Sequence, residues 1–188
     1  MNERTPLLVL GLGNVLLEDD GVGSAAVTRL RDRYDAPAGV RVFDGGTLGL
    51  SLLPYLDQAD ALILVDAVRT GAPPGTFVRL DGDDVPPAVA TRLSPYQVGV
   101  ADLLEGARWL DRYPTRVILL GLVPQSIDLG IGLTPAVAEG LDELVAHVAG
   151  EAAALGFPFR LKAVAMTAAD GDAADVGRLA AVAEGRNA

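Results

Sequence analysis

The chain has 188 residues, half of them hydrophobic, enough for one domain with a sizeable core, and no charge-rich stretch long enough to serve as an interdomain linker. Fifteen Lys and Arg against 25 Asp and Glu give a formal charge of −10, which argues against nucleic acid or an anionic membrane surface as partner and suits a cation or a basic segment. Cysteine is absent, so thiolate catalysis, sulfur-ligated metals and disulfides are excluded.

The N-terminal stretch from Met1 to Asn14 lacks the basic region, long apolar segment and small-residue cleavage site of a secretory signal, so the cytoplasm is the expected compartment. Leu7 to Leu10 is an apolar run that ends in Gly11-Leu12-Gly13-Asn14, and the carboxylates Glu18, Asp19 and Asp20 follow just ahead of a helical pattern. Strand, sharp turn, acidic loop and helix in this succession put Asp20 beyond the carboxyl end of a strand, where open α/β sheets meet their ligands. An Asp at a helix start can equally cap free N–H groups and meet the positive end of the helix dipole, so this stretch alone leaves both readings open.

The first helix is expected from about Asp20 to Tyr34, with Val22, Ala26, Val27 and Leu30 on one face, closed by Pro37 and Gly39. Val40 to Phe43 reads as a short strand leading into Asp44-Gly45-Gly46-Thr47, where glycines permit geometry or close approach that a side chain would block. Leu48 to Asp57 is compatible with a short helix, and Ala61 to Val65 is the near-continuous apolar run of a strand covered on both faces, ending at Asp66. Parallel neighbouring strands would aim Asp20, Asp44 and Asp66 at one crevice. Strand-end turn formation is the structural alternative for Asp44 and Asp66.

The middle is less regular: residues 70–75 form a loop, Thr76–Leu80 an edge strand, and Asp81-Gly82-Asp83-Asp84 a solvated acidic turn without the ligand spacing of an EF-hand. Ser94-Pro95-Tyr96-Gln97 opens a turn that passes into a helix carrying Leu103, Leu104 and Trp109, and Arg116–Leu122 is a further buried strand. Even the run at Val117–Val123 soon meets Pro124, far short of the ~18 residues of a membrane span, so the mean hydropathy of +0.33 reflects a packed core. The last clear helix, Thr134 to Leu155, has Thr134 as cap, Pro135 at its first position, and Val137, Leu141, Val145, Val148 and Ala152 on one face. His147, the only histidine, lies off that stripe near Glu143 and reads as a surface pair rather than a triad member. The expected division is a single α/β domain over 1–156 and an Ala- and Asp-rich extension, loosely helical or disordered, over 157–188.

Familiar chemistries fail on particular residues. Leu16 stands where a dinucleotide fingerprint needs its third glycine, no Gly-Lys-Ser/Thr follows the glycine turn, and no Gly-x-Ser-x-Gly elbow is present. An acidic crevice at strand ends remains, able to hold a cation through oxygen ligands.

The run from Gly11 to Gly23, with Asp44-Gly45-Gly46-Thr47, Val65-Asp66-Ala67, Pro74-Gly75-Thr76, Ser94-Pro95-Tyr96-Gln97 and Gly132-Leu133-Thr134-Pro135, resembles the hydrogenase maturation endopeptidases in order and over about residues 7–155. The resemblance implies a three-layer α/β fold, a twisted and mostly parallel sheet of about five strands with helices on both faces. It implies an endopeptidase that removes the C-terminal peptide of a [NiFe] hydrogenase large-subunit precursor after nickel insertion. Nickel is then carried by the precursor, with none tightly bound by this chain, and the expected state is a monomer. The family's metal-contacting and catalytic positions fall on Asp20 and Asp66, and its substrate-discriminating glycine pair on Asp44, Gly45, Gly46 and Thr47, with Gln97 as a further substrate contact. Tyr96 occupies the third metal position, where the family usually has His; a phenol with a pKa near ~10 is a poorer nickel ligand than imidazole. Gln97 or Asp102 would supply only an oxygen in its place. A non-catalytic, chaperone-like relative that binds the precursor is the alternative this substitution raises.

Overall fold

The computed structural model describes residues 5–90 and 100–163. In chain order it runs through β1 (Thr5–Leu12), a 3-10 turn (Glu18–Gly21), α1 (Val22–Arg33), β2 (Tyr34–Asp35), β3 (Val40–Gly46), a 3-10 turn (Gly49–Leu52), α2 (Leu53–Leu56) and β4 (Ala59–Ala67). It continues through β5 (Phe77–Asp81), a 3-10 turn (Gly82–Asp84), α3 (Val85–Ala90), α4 (Val100–Trp109), β6 (Arg116–Leu122), α5 (Pro135–Ala154) and β7 (Arg160–Leu161). Five of the strands form one sheet in the order β3-β1-β4-β6-β5, parallel except for the antiparallel edge strand β5.

The apolar runs fill a sheet covered on both faces. Successive side chains on a strand point to opposite faces, so Leu7, Val9, Ile63, Val65, Ile118 and Leu120 pack with α1 and α5, among them Val27, Leu30, Val137, Leu141, Val145 and Val148. Leu8, Leu10, Leu62, Leu64, Val117 and Leu119 pack on the other face with Leu52, Leu56, Val85, Leu103 and Leu104. The result is the three-layer α/β arrangement expected from the sequence, with the core split by the sheet.

Several local differences have physical causes. The first helix starts at Val22, because Glu18–Gly21 winds as a 3-10 turn on which the acidic loop closes, and Tyr34 leaves it to pair with β7. The helix expected over Leu48–Asp57 is a 3-10 turn followed by one α-turn carrying Pro54 at its start. Trp109 ends α4 at 87% exposure, while Leu103 and Leu104 are buried. Past residue 156, Phe157 and Phe159 pack against the core and β7 pairs antiparallel with β2, which ties this segment to the domain.

The chain leaves β1 towards β3 on one side of the sheet and leaves β4 towards β5 and β6 on the other. The carboxyl ends of β1 and β4 therefore flank the point where the winding reverses, the place in such sheets where a crevice opens.

Candidate functional site

The loop after β1 is shaped by glycines. Gly13 has φ of +114°, and a Cβ there would sit 1.7 Å from the carbonyl oxygen of Asp20, so the turn folds onto the acidic segment only without a side chain. The backbone N–H of Asn14 donates to Oδ2 of Asp20 at 2.7 Å, and the carboxylate is 5% exposed. Helix α1 begins at Val22 with Gly21 at its N-cap and no side-chain cap there, and the Asp20 carboxylate turns back to the Asn14 N–H.

Asp66 stands near the end of β4, fully buried, with Oδ1 accepting the N–H of Ala67 at 2.7 Å. A Cβ at Gly23 would lie 2.1 Å from the carbonyl oxygen of Val65 and 2.4 Å from that of Leu12. The first turn of α1 thus rests directly on the ends of β1 and β4. That contact carries the turn bearing Asp20 to the end of the strand bearing Asp66, and the bare backbone of Gly121 lets β6 close on the same place. Two ionisable side chains this deeply buried at a switch point are candidates for chemistry rather than for solvation.

Asp44 behaves differently. It is exposed, and its Oδ1 accepts both the Ser24 hydroxyl at 2.6 Å and the Gly46 N–H at 3.1 Å, forming the strand-end turn that its residue type favours. Gly45 is buried against Leu10 and Leu52, Gly46 accepts the N–H of Gly13 at 3.1 Å through its carbonyl, and Thr47 is exposed. The glycine-pair segment is thereby stitched to the turn after β1. Among the described residues, no three His, Asp or Glu side chains gather closely enough to hold a metal ion. Of the three carboxylates expected at one crevice, Asp20 and Asp66 are buried, while Asp44 is exposed and bonded to the buried Ser24. Tyr96 and Gln97 lie outside the described residues, and Asp102 is exposed on the first turn of α4.

A residue the sequence reading passed over holds the loops in place. Asp19, fully buried, accepts the N–H of Thr134 at 2.7 Å on Oδ1, and on Oδ2 the N–H of Gln125 at 2.8 Å, that of Ser126 at 3.1 Å and the Thr134 hydroxyl at 2.8 Å. Backbone pairs from Glu18 to Gly130, Gly130 to Leu16 and Asp19 to Ser126 complete the seam. Thr134 occupies the N-cap of α5 as expected, but its hydroxyl donates to Asp19 instead of accepting from the helix. The negative Asp19 also sits at the positive end of that helix. The only sequence signal was an Asp beside Asp20.

His147 is removed from these groups. Its Nε2 stands 3.6 Å from Glu143, the pair within α5 that the spacing suggested, and its ring stacks on Phe77 of the sheet edge at 3.9 Å, a contact the spacing did not show.

A family model named HycI, hydrogenase maturation protease, matches residues 25–151. The hydrogenase expression/formation protein HupD of Rhodobacter capsulatus is 43% identical over 152 residues, 80% of this chain and 72% of that protein. The hydrogenase 2 maturation protease of Escherichia coli K12 is 38% identical over 143 residues, 76% of this chain and 87% of that protein. The solved structure of the hydrogenase maturating endopeptidase HybD from E. coli superposes with a TM-score of 0.80 at 35% identity, covering 84% of this chain and 98% of that one.

Proposed function

Because the chain belongs to the hydrogenase maturation protease family, we propose that it removes the C-terminal peptide of a [NiFe] hydrogenase large-subunit precursor once nickel has been inserted there. The observation that carries this reading is the buried pair Asp20 and Asp66 at the junction of β1 and β4. The described donors of the pair are carboxylate oxygens, whereas nickel is better served by imidazole. Such a pair suits touching a nickel that keeps its own ligands in the precursor more than retaining one in the free protein. Tyr96 in the third metal position strengthens that preference.

In the proposed reaction a water attacks the carbonyl carbon of the scissile peptide, and a carboxylate of the pair takes the water's proton. Collapse of the tetrahedral adduct breaks the C–N bond, and the proton passes to the departing amine. The exposed Asp44 and Thr47, on a rim fixed by Gly45 and Gly46, meet the precursor and discriminate between cognate and foreign large subunits, with Gln97 as a further contact.

Replacement by the isosteric amide tests the pair. Asp20→Asn still offers a carbonyl oxygen to Asn14, and Asp66→Asn offers one to Ala67, so each variant should unfold within about 3 °C of wild type, under about 1 kcal/mol. Each should nonetheless abolish shortening of the nickel-loaded precursor. Retained processing with a large loss of stability would show the carboxylates to be structural. Precursor bound but never shortened by the wild type would favour the chaperone-like alternative.

A further inference from the structure

Arg69 lies just past Asp66 and is exposed where β4 ends. Together with Thr70, Val123, Pro124, Gln125 and Ser126 it lines a depression of about 290 Å³ at the carboxyl ends of β4 and β6, close to the small end of the ~300–1,000 Å³ typical of ligand sites. The walls are fixed by backbone hydrogen bonds: the Val68 N–H to the Leu122 carbonyl at 3.0 Å, Gly75 to Val123 at 2.8 Å and Val123 to Thr76 at 2.9 Å. The opposite wall is pinned by Asp19, which takes the N–H groups of both Gln125 and Ser126. A ligand would enter a shape that already exists, with little ordering cost.

The charge pattern points to what enters. Arg79, Arg108, Arg112 and Arg116 each meet a carboxylate and Arg29 and Arg33 share Asp142, while Arg31 donates to the Val42 carbonyl, Arg41 lies over the Tyr55 ring and Arg160 has no ion pair among the described residues. Arg69 has no ion pair among the described residues, and no carboxylate lines the depression. In a chain of net charge −10, this is a cation close in sequence to Asp66 with no carboxylate partner among the described residues. A guanidinium presents paired N–H donors in the geometry of a carboxylate, and the Gln125 amide and Thr70 hydroxyl add neutral hydrogen-bonding groups on the same lining.

We propose that the depression around Arg69 is a carboxylate-binding subsite that seats the precursor beside the scissile bond. The inference rests on the processing reading above for the identity of its occupant. A carboxylate of the required kind has two sources in a precursor tail: an Asp or Glu side chain near the cut, and the terminal carboxylate of the peptide to be removed.

The test has one arm that needs no cleavage. Titrating the ¹⁵N-labelled protein with glutarate should shift the Arg69 Nε–H and Gln125 side-chain amide signals, uncharged glutaramide should not, and Arg69→Gln should abolish the Gln125 response. No glutarate shift in the wild type, or the same Gln125 shift in Arg69→Gln, overturns the subsite. In the second arm, Arg69→Gln should raise KM for the nickel-loaded precursor about five- to tenfold, the range between exposed and well-formed charge-assisted contacts, with Arg69→Lys recovering part of it. The change should fall on KM rather than kcat. Unchanged KM overturns the subsite while leaving the processing reading intact. A wild type that cuts no precursor overturns the processing reading, and the glutarate arm then decides the subsite by itself. Amide replacement of precursor acids near the cut, compared with addition of residues after its C-terminus, identifies the occupant. The replacement that weakens wild type but not Arg69→Gln marks the carboxylate that Arg69 binds.

Discussion

Asp19→Ala would leave the N–H groups of Gln125, Ser126 and Thr134 facing a methyl group where a carboxylate had accepted from all three. A hydrogen bond to a charged group is worth about 1.5–3 kcal/mol, and a buried donor left unmade costs about 1–3 kcal/mol. These donors are part-buried and share one acceptor group, so water recovers some of the loss and the contributions do not add. A net cost of about 4 kcal/mol follows, a large part of the ~5–15 kcal/mol that holds a domain folded. For a domain of this length, ~2–4 °C per kcal/mol converts that to a fall in Tm of about 10 °C. Asp19→Asn should cost about half as much. Its carbonyl can keep the Oδ2 partners while its amino group opposes only the Thr134 N–H. Circular-dichroism melts and urea titrations of both variants measure this. An Asp19→Ala protein within about 1 kcal/mol of wild type, or an amide variant less stable than the alanine one, would refute the claim that one carboxylate joins the two loops.

The remaining predictions concern other parts of the fold. Gly23→Ala places a Cβ 2.1 Å from the Val65 carbonyl oxygen and must push α1 off the strand ends, costing about 3 kcal/mol or more and lowering processing with it; a variant of wild-type Tm would contradict that packing. Arg79 donates from two nitrogens to Glu151, each at 2.9 Å, and this hydrogen bond chiefly holds the Glu151 carboxyl below its ordinary value of 4.5. A depressed carboxyl pKa stabilises above the unfolded-state value, and that contribution fades as pH falls through the folded one. Glu151→Gln should therefore cost under about 1 kcal/mol at neutral pH and flatten the loss of stability below pH 4.5; an unaltered acid profile would count against the pair. If residue 96 takes the third metal position that the family resemblance implies, Tyr96→His should tighten nickel binding by the free protein in calorimetry, whereas tight wild-type binding or no gain in the variant would remove the missing-ligand argument.

What the sequence made legible follows from how local each determinant is. β1, β4 and β6 are covered on both faces, so their apolar runs needed no partner to be read, and α5 carried its buried stripe at helical spacing. β2 and β7 are two-residue strands paired across the chain, with no period of their own. Trp109 kept a helical register with Leu103 and Leu104, yet the helix ends there and leaves it in solvent. The acidic loop shows the limit most clearly. Glu18, Asp19 and Asp20 are consecutive, but the partners that separate their roles come from the segment at 125–134 and from the turn at Gly13, so composition alone could not assign them. Asp44 was read from the same strand-end rule as Asp66, a rule that sees neither its exposure nor its partner, the Ser24 hydroxyl on α1.

The central claim is that a buried carboxylate pair acts on a precursor only when nickel is in place. The direct measurement is a time course of purified protein with the cognate large-subunit precursor, nickel-loaded and nickel-free, followed by intact mass. The loaded form should lose its C-terminal peptide while the nickel-free form keeps its full mass. Equal shortening of the two forms would contradict nickel-dependent recognition.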